Sequence, residues 1–270
     1  MILTDFHTHS YCSDDGVASM HDMALAGAER GVSIMCITDH VDIDHFETGG
    51  LNPDCFSHWD RIKEEYALAV ERLGGCIDLR LGIEFGEANH APGMAQSIAE
   101  AEGLDFIIGS LHNLWDYPDF FCIRYKSEQE CRELAKKYVE EHFELVRLGC
   151  LDVLGHIGYA KRYMKRRGFD IGLEGLEDRL EALFKLVSES GKGIELNTSG
   201  LRDNTGTTFP EKWVLKLYRE AGGEIITVGS DSHRPEDVGA NIEDAYELLR
   251  EVGFKYFTVF KNRKPEFIKL

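Results

Sequence analysis

No apolar run in the 270-residue chain approaches the ~18–20 residues that a membrane-spanning helix needs. Its first residues carry neither a basic stretch nor a signal-like apolar core, because Asp5, His7 and His9 interrupt the opening run, so the expected location is the cytoplasm. Proline is scarce, at six residues, and no stretch rich in Pro, Gly or Ser divides the chain. One domain over residues 1–270 is therefore expected. The seven cysteines (12, 36, 55, 76, 122, 131 and 150) include no CxxC pair, which excludes a structural zinc knuckle and fits no disulfide framework. They read as reduced, mostly buried, small apolar residues. Positive charge is also short: 30 Lys and Arg against 48 Asp and Glu leave a net −18. That balance repels nucleic acid and anionic membrane at long range and excludes a general polyanion binder, while leaving room for a local basic pocket.

What the chain does have is alternation. Short apolar runs at 2–6 (ILTDF), 33–37, 79–83, 105–109, 151–154, 193–197 and 224–228 read as strands. Amphipathic stretches at 18–30, 54–73, 93–102, 127–148, 174–190, 210–221 and 236–252 read as helices, with Ser127 and Glu130 as a capping pair and Pro210 at a first turn. Seven βα units predict an α/β fold with a parallel, barrel-like sheet. The run at 256–260 (YFTVF) is rich in β-branched and aromatic residues and reads as an eighth strand or an edge addition.

The first strand ends in DFHTH. Residues at i and i+2 of a strand share a face, so His7 and His9 set two imidazoles side by side, a geometry suited to a metal. In such barrels the active site lies at the carboxyl ends of the strands. There the chain places His40 in TDH, Glu84 in GIEFG, His112 in GSLHN, His156 in GHIGY, and Asp231 and His233 in SDSH. Six of eleven histidines fall at these ends, the other five on helices or loops. Six imidazoles and at least two carboxylates exceed what one ion uses, which implies two or three ions; the donor set suits Zn, Mn or Fe better than Mg or Ca. A carboxylate such as Glu84 can bridge two ions ~3.5–4 Å apart, an arrangement that serves phosphate-ester hydrolysis.

The series HTH, TDH, GIEFG, GSLHN, GHIGY, NTSGLR and SDSH, running from residue 5 to about 239, resembles the PHP (polymerase and histidinol phosphatase) superfamily, and most closely its histidinol-phosphate phosphatase branch. The resemblance implies a distorted (β/α)7 TIM-like barrel with three divalent transition-metal ions in its mouth. It implies His7, His9, Glu84 and Asp231 on the first ion, and Glu84, His112 and His156 on the second. His40, His233 and an acidic residue of SYCSDDG would hold the third; spacing favours Asp15, with Asp14 the alternative. Catalysis would rest on Glu84, Asp231 and His233, with a metal-bridging hydroxide attacking phosphorus.

A phosphomonoester needs cations beyond the metals, and the arginine fork suits it better than lysine. Arg162 lies just beyond His156 in a basic island (Lys161, Arg162, Lys165, Arg166, Arg167), and Arg202 closes NTSGLR, where the resemblance places an arginine on phosphate. Asn197 and Ser199 are candidates for the same wall, Arg124 and Arg234 weaker cations, and Trp115, Tyr117 and Tyr159 candidate pocket aromatics. The expected reaction is hydrolysis of a small phosphate monoester, L-histidinol phosphate first among them, with no nucleic-acid or membrane partner. A diesterase or nuclease of the same superfamily, a phosphatase for another ester, an amidohydrolase and a non-catalytic metal-binding barrel are the alternatives.

Overall fold

A computed structural model describes residues 2–270. Its strands are β1 (Leu3–Thr8), β2 (Val32–Ile37), β3 (His40–Asp42), β4 (Asp78–Gly86), β5 (Phe106–Ser110), β6 (Val153–Leu154), β7 (Gly193–Asn197), β8 (Ile226–Gly229), β9 (Tyr256–Lys261) and β10 (Lys264–Lys269). The helices are α1 (Met20–Glu29), α2 (Trp59–Leu73), α3 (Pro92–Ala99), α4 (Glu128–Leu148), α5 (Ala160–Arg166), α6 (Glu177–Glu189), α7 (Lys212–Glu220) and α8 (Ile242–Val252).

The main sheet runs in the order β1-β2-β4-β5-β6-β7-β8, every neighbouring pair parallel, and β3 continues the path of β2 alongside β4. At the carboxyl end the first and last strands meet: His9 N–H donates to the Ser232 carbonyl at 2.8 Å and Asp231 N–H to the His7 carbonyl at 2.8 Å. The fold is thus a nearly closed seven-stranded α/β barrel. Its strands are buried on both faces, as β5, FIIGS, illustrates. The helices present one apolar stripe each. In α4 the buried set Cys131, Leu134, Ala135, Tyr138, Val139 and His142 follows the helical repeat. Ser127 caps α4 by accepting from Glu130 N–H at 3.2 Å, while the Glu130 carboxylate reaches back to Lys126 N–H at 2.7 Å. Pro210 precedes the first turn of α7 rather than standing in it, since Glu211 occupies the cap.

The 256–260 run takes neither place expected of it. It forms β9, which pairs antiparallel with β10 as a separate hairpin. The hairpin closes the amino-end of the barrel: the Phe260 ring lies 5.0 Å from Phe106, Arg80 donates to the Phe260 carbonyl at 2.6 Å, and Arg263 pairs with Asp152 at 2.5 Å. With that end sealed, the opposite end is the one left to hold a ligand. All seven cysteines are free. Among the described residues no helix is long and apolar enough to cross a membrane.

Candidate metal centre

Glu84 sits near the carboxyl end of β4, fully buried, and is the hub of the mouth. Its Oε2 lies 3.2 Å from His7 Nε2, 3.4 Å from His9 Nε2 and 3.2 Å from His40 Nδ1. Its Oε1 lies 3.0 Å from His112 Nε2 and 2.7 Å from His156 Nε2, and accepts from Ser110 Oγ at 2.7 Å. A second carboxylate, Asp231, brings Oδ1 to 3.7 Å from His7 Nε2 and 3.6 Å from His9 Nε2. Its backbone is in the left-handed region, φ 56°, which a short polar side chain tolerates better than a branched one and which is a common signature of functional positions. At the rim, Asp15 Oδ2 lies 3.1 Å from His233 Nε2 and Oδ1 lies 3.8 Å from His40 Nε2. It is therefore Asp15, of the two adjacent aspartates, that faces the histidines.

Two observations test whether the donors fit metal. His7 Nε2, His9 Nε2 and His40 Nδ1 are buried with no hydrogen-bond partner among the described residues, an arrangement that costs free energy unless a further group completes it. The donors also converge as overlapping sets, His7, His9 and Glu84; His40, Glu84 and His112; and His9, His40 and His233, each with ligand atoms within 4.8 Å of one another. Nitrogen and carboxylate donors so arranged fit divalent transition ions.

Electrostatics bind the cluster together. Burial alone would raise the Glu84 carboxyl, yet the positive fields of His7, His112 and His40 outweigh it and hold Glu84 well below the usual range. Burial is likewise outweighed at Asp231, chiefly by His7. His9 behaves differently: burial, then the neighbouring His233 and His40, push it down to about 3. Its ring lies against both of theirs, with centroids 4.1 Å from His233 and 4.4 Å from His40.

Partners behind the cluster fix the rings. His7 Nδ1 meets Glu195 Oε1 at 2.7 Å, His112 Nδ1 lies 3.4 Å from Asp42 Oδ1, and His9 Nδ1 lies 3.2 Å from Ser13 Oγ. Asp39 accepts from Ser10 N–H at 2.6 Å and from Ser13 Oγ at 2.7 Å, so it anchors the loop after β1 rather than joining the cluster. Glu87 accepts from His112 N–H at 2.6 Å, and burial pushes its carboxyl up to about 8. Asp5 accepts from Ser230 N–H at 2.8 Å and Gly239 N–H at 2.8 Å, holding the loop that carries Asp231. Asp5, Ser13 and Asp39 lie within the quoted stretches DFHTH, SYCSDDG and TDH, but no motif marks Asp42, Glu87 or Glu195. The available signal is an acidic side chain inside a buried strand, LTDFHT or GIELN, which must find a partner.

Both arginines stand beside the cluster. Arg162 pairs with Asp203 at 2.5 Å, donates to Ser199 Oγ, and lies over the Tyr159 and Phe209 rings at 5.5 and 5.1 Å. Ser199 Oγ donates to Asn197 Oδ1 at 2.6 Å and lies 3.1 Å from Asp231 Oδ2, so one side chain, Ser199, links Arg162 to the Asp231 carboxylate. Arg202 donates from Nη2 to the Ser230 carbonyl at 2.6 Å, while its Nη1 is buried without a partner among the described residues. The two lysines of the basic island are occupied elsewhere, Lys161 on Glu211 at 2.7 Å and Lys165 near Asp170 at 3.5 Å. Arg124 and Arg234 are exposed. Tyr159 stacks on His156 at 4.7 Å and walls the site; Trp115 is exposed and Tyr117 is tied to Lys137.

Fold and site together define an α/β barrel hydrolase class with a histidine–carboxylate centre for divalent metal. The PHP domain family matches residues 5–199, and the chain belongs to that family. Among curated relatives it is similar to a probable histidinol-phosphatase of Thermotoga maritima, 28% identical over 257 residues and covering 95% of each chain. A probable histidinol-phosphatase of Deinococcus radiodurans is 27% identical over 283 residues, covering 98% of each. The fold superposes, with TM-score 0.79, 22% identity and 98% coverage of both chains, on the histidinol phosphate phosphatase of Lactococcus lactis, a structure complexed with zinc, L-histidinol and phosphate.

Proposed function

We propose that the protein is a metal-dependent phosphomonoesterase that hydrolyses L-histidinol phosphate to L-histidinol and phosphate, a step of histidine biosynthesis. The observation that carries the reading is the placement of two arginines, one with an uncommitted buried Nη1, beside a histidine–carboxylate cluster whose ring nitrogens are themselves uncommitted. The names of the full-length relatives and the ligands of the Lactococcus structure supply the substrate.

In this reading three divalent ions, Zn, Mn or Fe, are held by His7, His9, Glu84 and Asp231; by Glu84, His112 and His156; and by Asp15, His40 and His233. Bound there, they supply Lewis acidity toward phosphate and an activated water. The chain's own groups do the rest. Arg162 and Arg202 bind the non-bridging oxygens and stabilise the charge that gathers on them. Asp203 and Ser199 hold the Arg162 fork in place, and the Ser230 carbonyl holds that of Arg202. The proton for the leaving alkoxide is assigned to a water held at the Asp231–His233 edge, where His233 Nδ1 lies 3.7 Å from Asp231 Oδ1; the water gives up its proton to the alkoxide and is left as hydroxide. Tyr159, packed on His156, limits water on the wall nearest the ester.

The test is a parallel assay of metal-loaded protein on L-histidinol phosphate, an aryl phosphate, a bis-aryl phosphate and a short oligonucleotide. L-Histidinol phosphate should give the highest kcat/KM. Dominance of either diester substrate would overturn the monoesterase assignment.

A further inference from the structure

Glu195 lies in the middle of β7 and is wholly buried. Strand alternation puts it on the same face as Asn197, toward the barrel interior. Its two oxygens serve two different members of the cluster. Oε1 lies 2.7 Å from His7 Nδ1, on a strand two places away, and Oε2 accepts from His156 N–H at 2.8 Å and from Asn197 Nδ2 at 3.2 Å. To reach His7 the carboxylate passes over β8 at Gly229. A Cβ there would stand 2.5 Å from Glu195 Oε1 and 2.4 Å from His7 Cβ, so the glycine is what leaves the crossing open.

We infer that Glu195 is a positioning residue that sets two metal-binding histidines at once; the inference rests on the metal reading above. A ring whose Nδ1 donates to a carboxylate keeps its proton there and turns the Nε2 lone pair outward, and the partner raises the basicity of that nitrogen. For His7 the outward nitrogen is the one facing Glu84 and Asp231. The second oxygen acts on position: by holding the His156 backbone it fixes where that ring enters, with Nε2 2.7 Å from Glu84 Oε1. His7 and His156 belong to different ions in the proposed set, and their rings lie 5.7 Å apart. One carboxylate therefore sets the separation of two ion positions without ligating either.

The experiment compares wild-type protein with Glu195→Gln, Glu195→Ala and Glu84→Gln, using Co²⁺ as the probe. Affinity is read by competition with a chromophoric chelator, the visible Co²⁺ spectrum reports ligand geometry, and circular dichroism establishes that each variant is folded. Glu195→Gln can still accept from His7 but cannot accept from His156 N–H through its amide nitrogen, so the expected loss is about 10-fold in Co²⁺ affinity with an altered spectrum. Glu195→Ala loses both contacts, and the expected loss is about 10–100-fold, the range for partners behind a ligand. A merely structural carboxylate would change melting temperature and leave affinity and spectrum of the folded protein as in wild type; that result in Glu195→Gln overturns the inference, whether or not Glu195→Ala folds. If the inference alone fails, Glu84→Gln still loses Co²⁺. If wild type takes up no Co²⁺, or Glu84→Gln binds it as wild type does, the metal reading fails and the inference with it.

Discussion

Replacing Glu84 by Gln keeps the volume and one acceptor of the hub while removing its charge. The two Glu84 oxygens lie 2.7–3.4 Å from five imidazole nitrogens, so any ion held by those rings sits within a few ångströms of the carboxylate. At an effective dielectric constant of about 20, two unit charges about 4 Å apart interact by about 4 kcal/mol, roughly three decades in an equilibrium constant. A divalent ion doubles the Coulomb energy, and shorter separations enlarge it further; the amide nitrogen of Gln adds a donor where a ligand oxygen was. The expected loss is therefore at least about 10³-fold in affinity for each ion that Glu84 faces. Metal content should fall from three ions per chain to one or none, since only the Asp15, His40 and His233 set escapes direct dependence on Glu84 in the proposed scheme. Turnover of L-histidinol phosphate should fall by at least the same factor. Elemental analysis after gel filtration, turnover and circular dichroism on one preparation make the test. A folded variant with wild-type metal content, or with more than about a tenth of wild-type turnover, would refute the bridging role.

Two further outcomes follow from the surroundings of the cluster. Arg202→Ala removes one fork and its uncommitted Nη1, and a hydrogen bond to a charged group contributes about 1.5–3 kcal/mol, so kcat/KM should fall about 10- to 150-fold with metal content unchanged. Arg202→Lys should recover only part of this because it offers a point charge in place of a fork, and wild-type kcat/KM in the alanine variant would remove Arg202 from the phosphate site. His90, away from the cluster, meets Asp44 at 2.6 Å and Glu141 at 2.9 Å. Burial would lower it, but those hydrogen bonds win and push it up to about 9 from 6.5. The folded state thus holds this proton more tightly than the unfolded chain. Its contribution is complete below about pH 6.5, declines as pH rises toward about 9, and is lost above that. Urea unfolding of chelated protein should show a larger wild-type advantage over His90→Gln at about pH 6 than at about pH 9.5, and an equal gap at both would contradict the assignment.

The barrel and the six strand-end histidines were legible because both are written in local pattern. Apolar runs of strand length, each followed by an amphipathic helix, leave few topologies, and in a parallel barrel the chemistry collects at the carboxyl ends. The structure accordingly brings His7, His9, His40, His112 and His156 around Glu84 and lays His233 against His9. Short elements escaped: β3 has three residues and α5 seven, too few for a period to show. The last hairpin escaped for another reason. Its aromatic residues predict burial, and burial against the closed end of a barrel looks the same in sequence as burial within its wall. Glu195 and Asp5 escaped because the partners they hold are distant in sequence. A carboxylate 188 residues from its histidine leaves no local spacing to read.

The acid excess of the chain bears on how an anionic ester is drawn in. Once the imidazoles are neutral, as ligation demands, the mouth holds the carboxylates of Glu84, Asp231 and Asp15, and its two arginines are already matched by Asp203 at 2.5 Å and Asp237 at 3.6 Å. No uncompensated positive charge is left for a phosphate dianion. In the proposed function the carboxylates that give the chain its −18 are in part the same ones that would collect divalent cations, and each ion would add two positive charges locally. Metal and phosphate sites would in that function be one electrostatic unit: Arg162 and Arg202 would supply direction through their forks, and the attraction itself would depend on the ions that Glu84 and Asp231 would retain. An acidic surface and an anionic substrate are then compatible, because the field that matters to the ester is set within a few ångströms of the cluster and the rest of the surface charge is screened over about 8–10 Å.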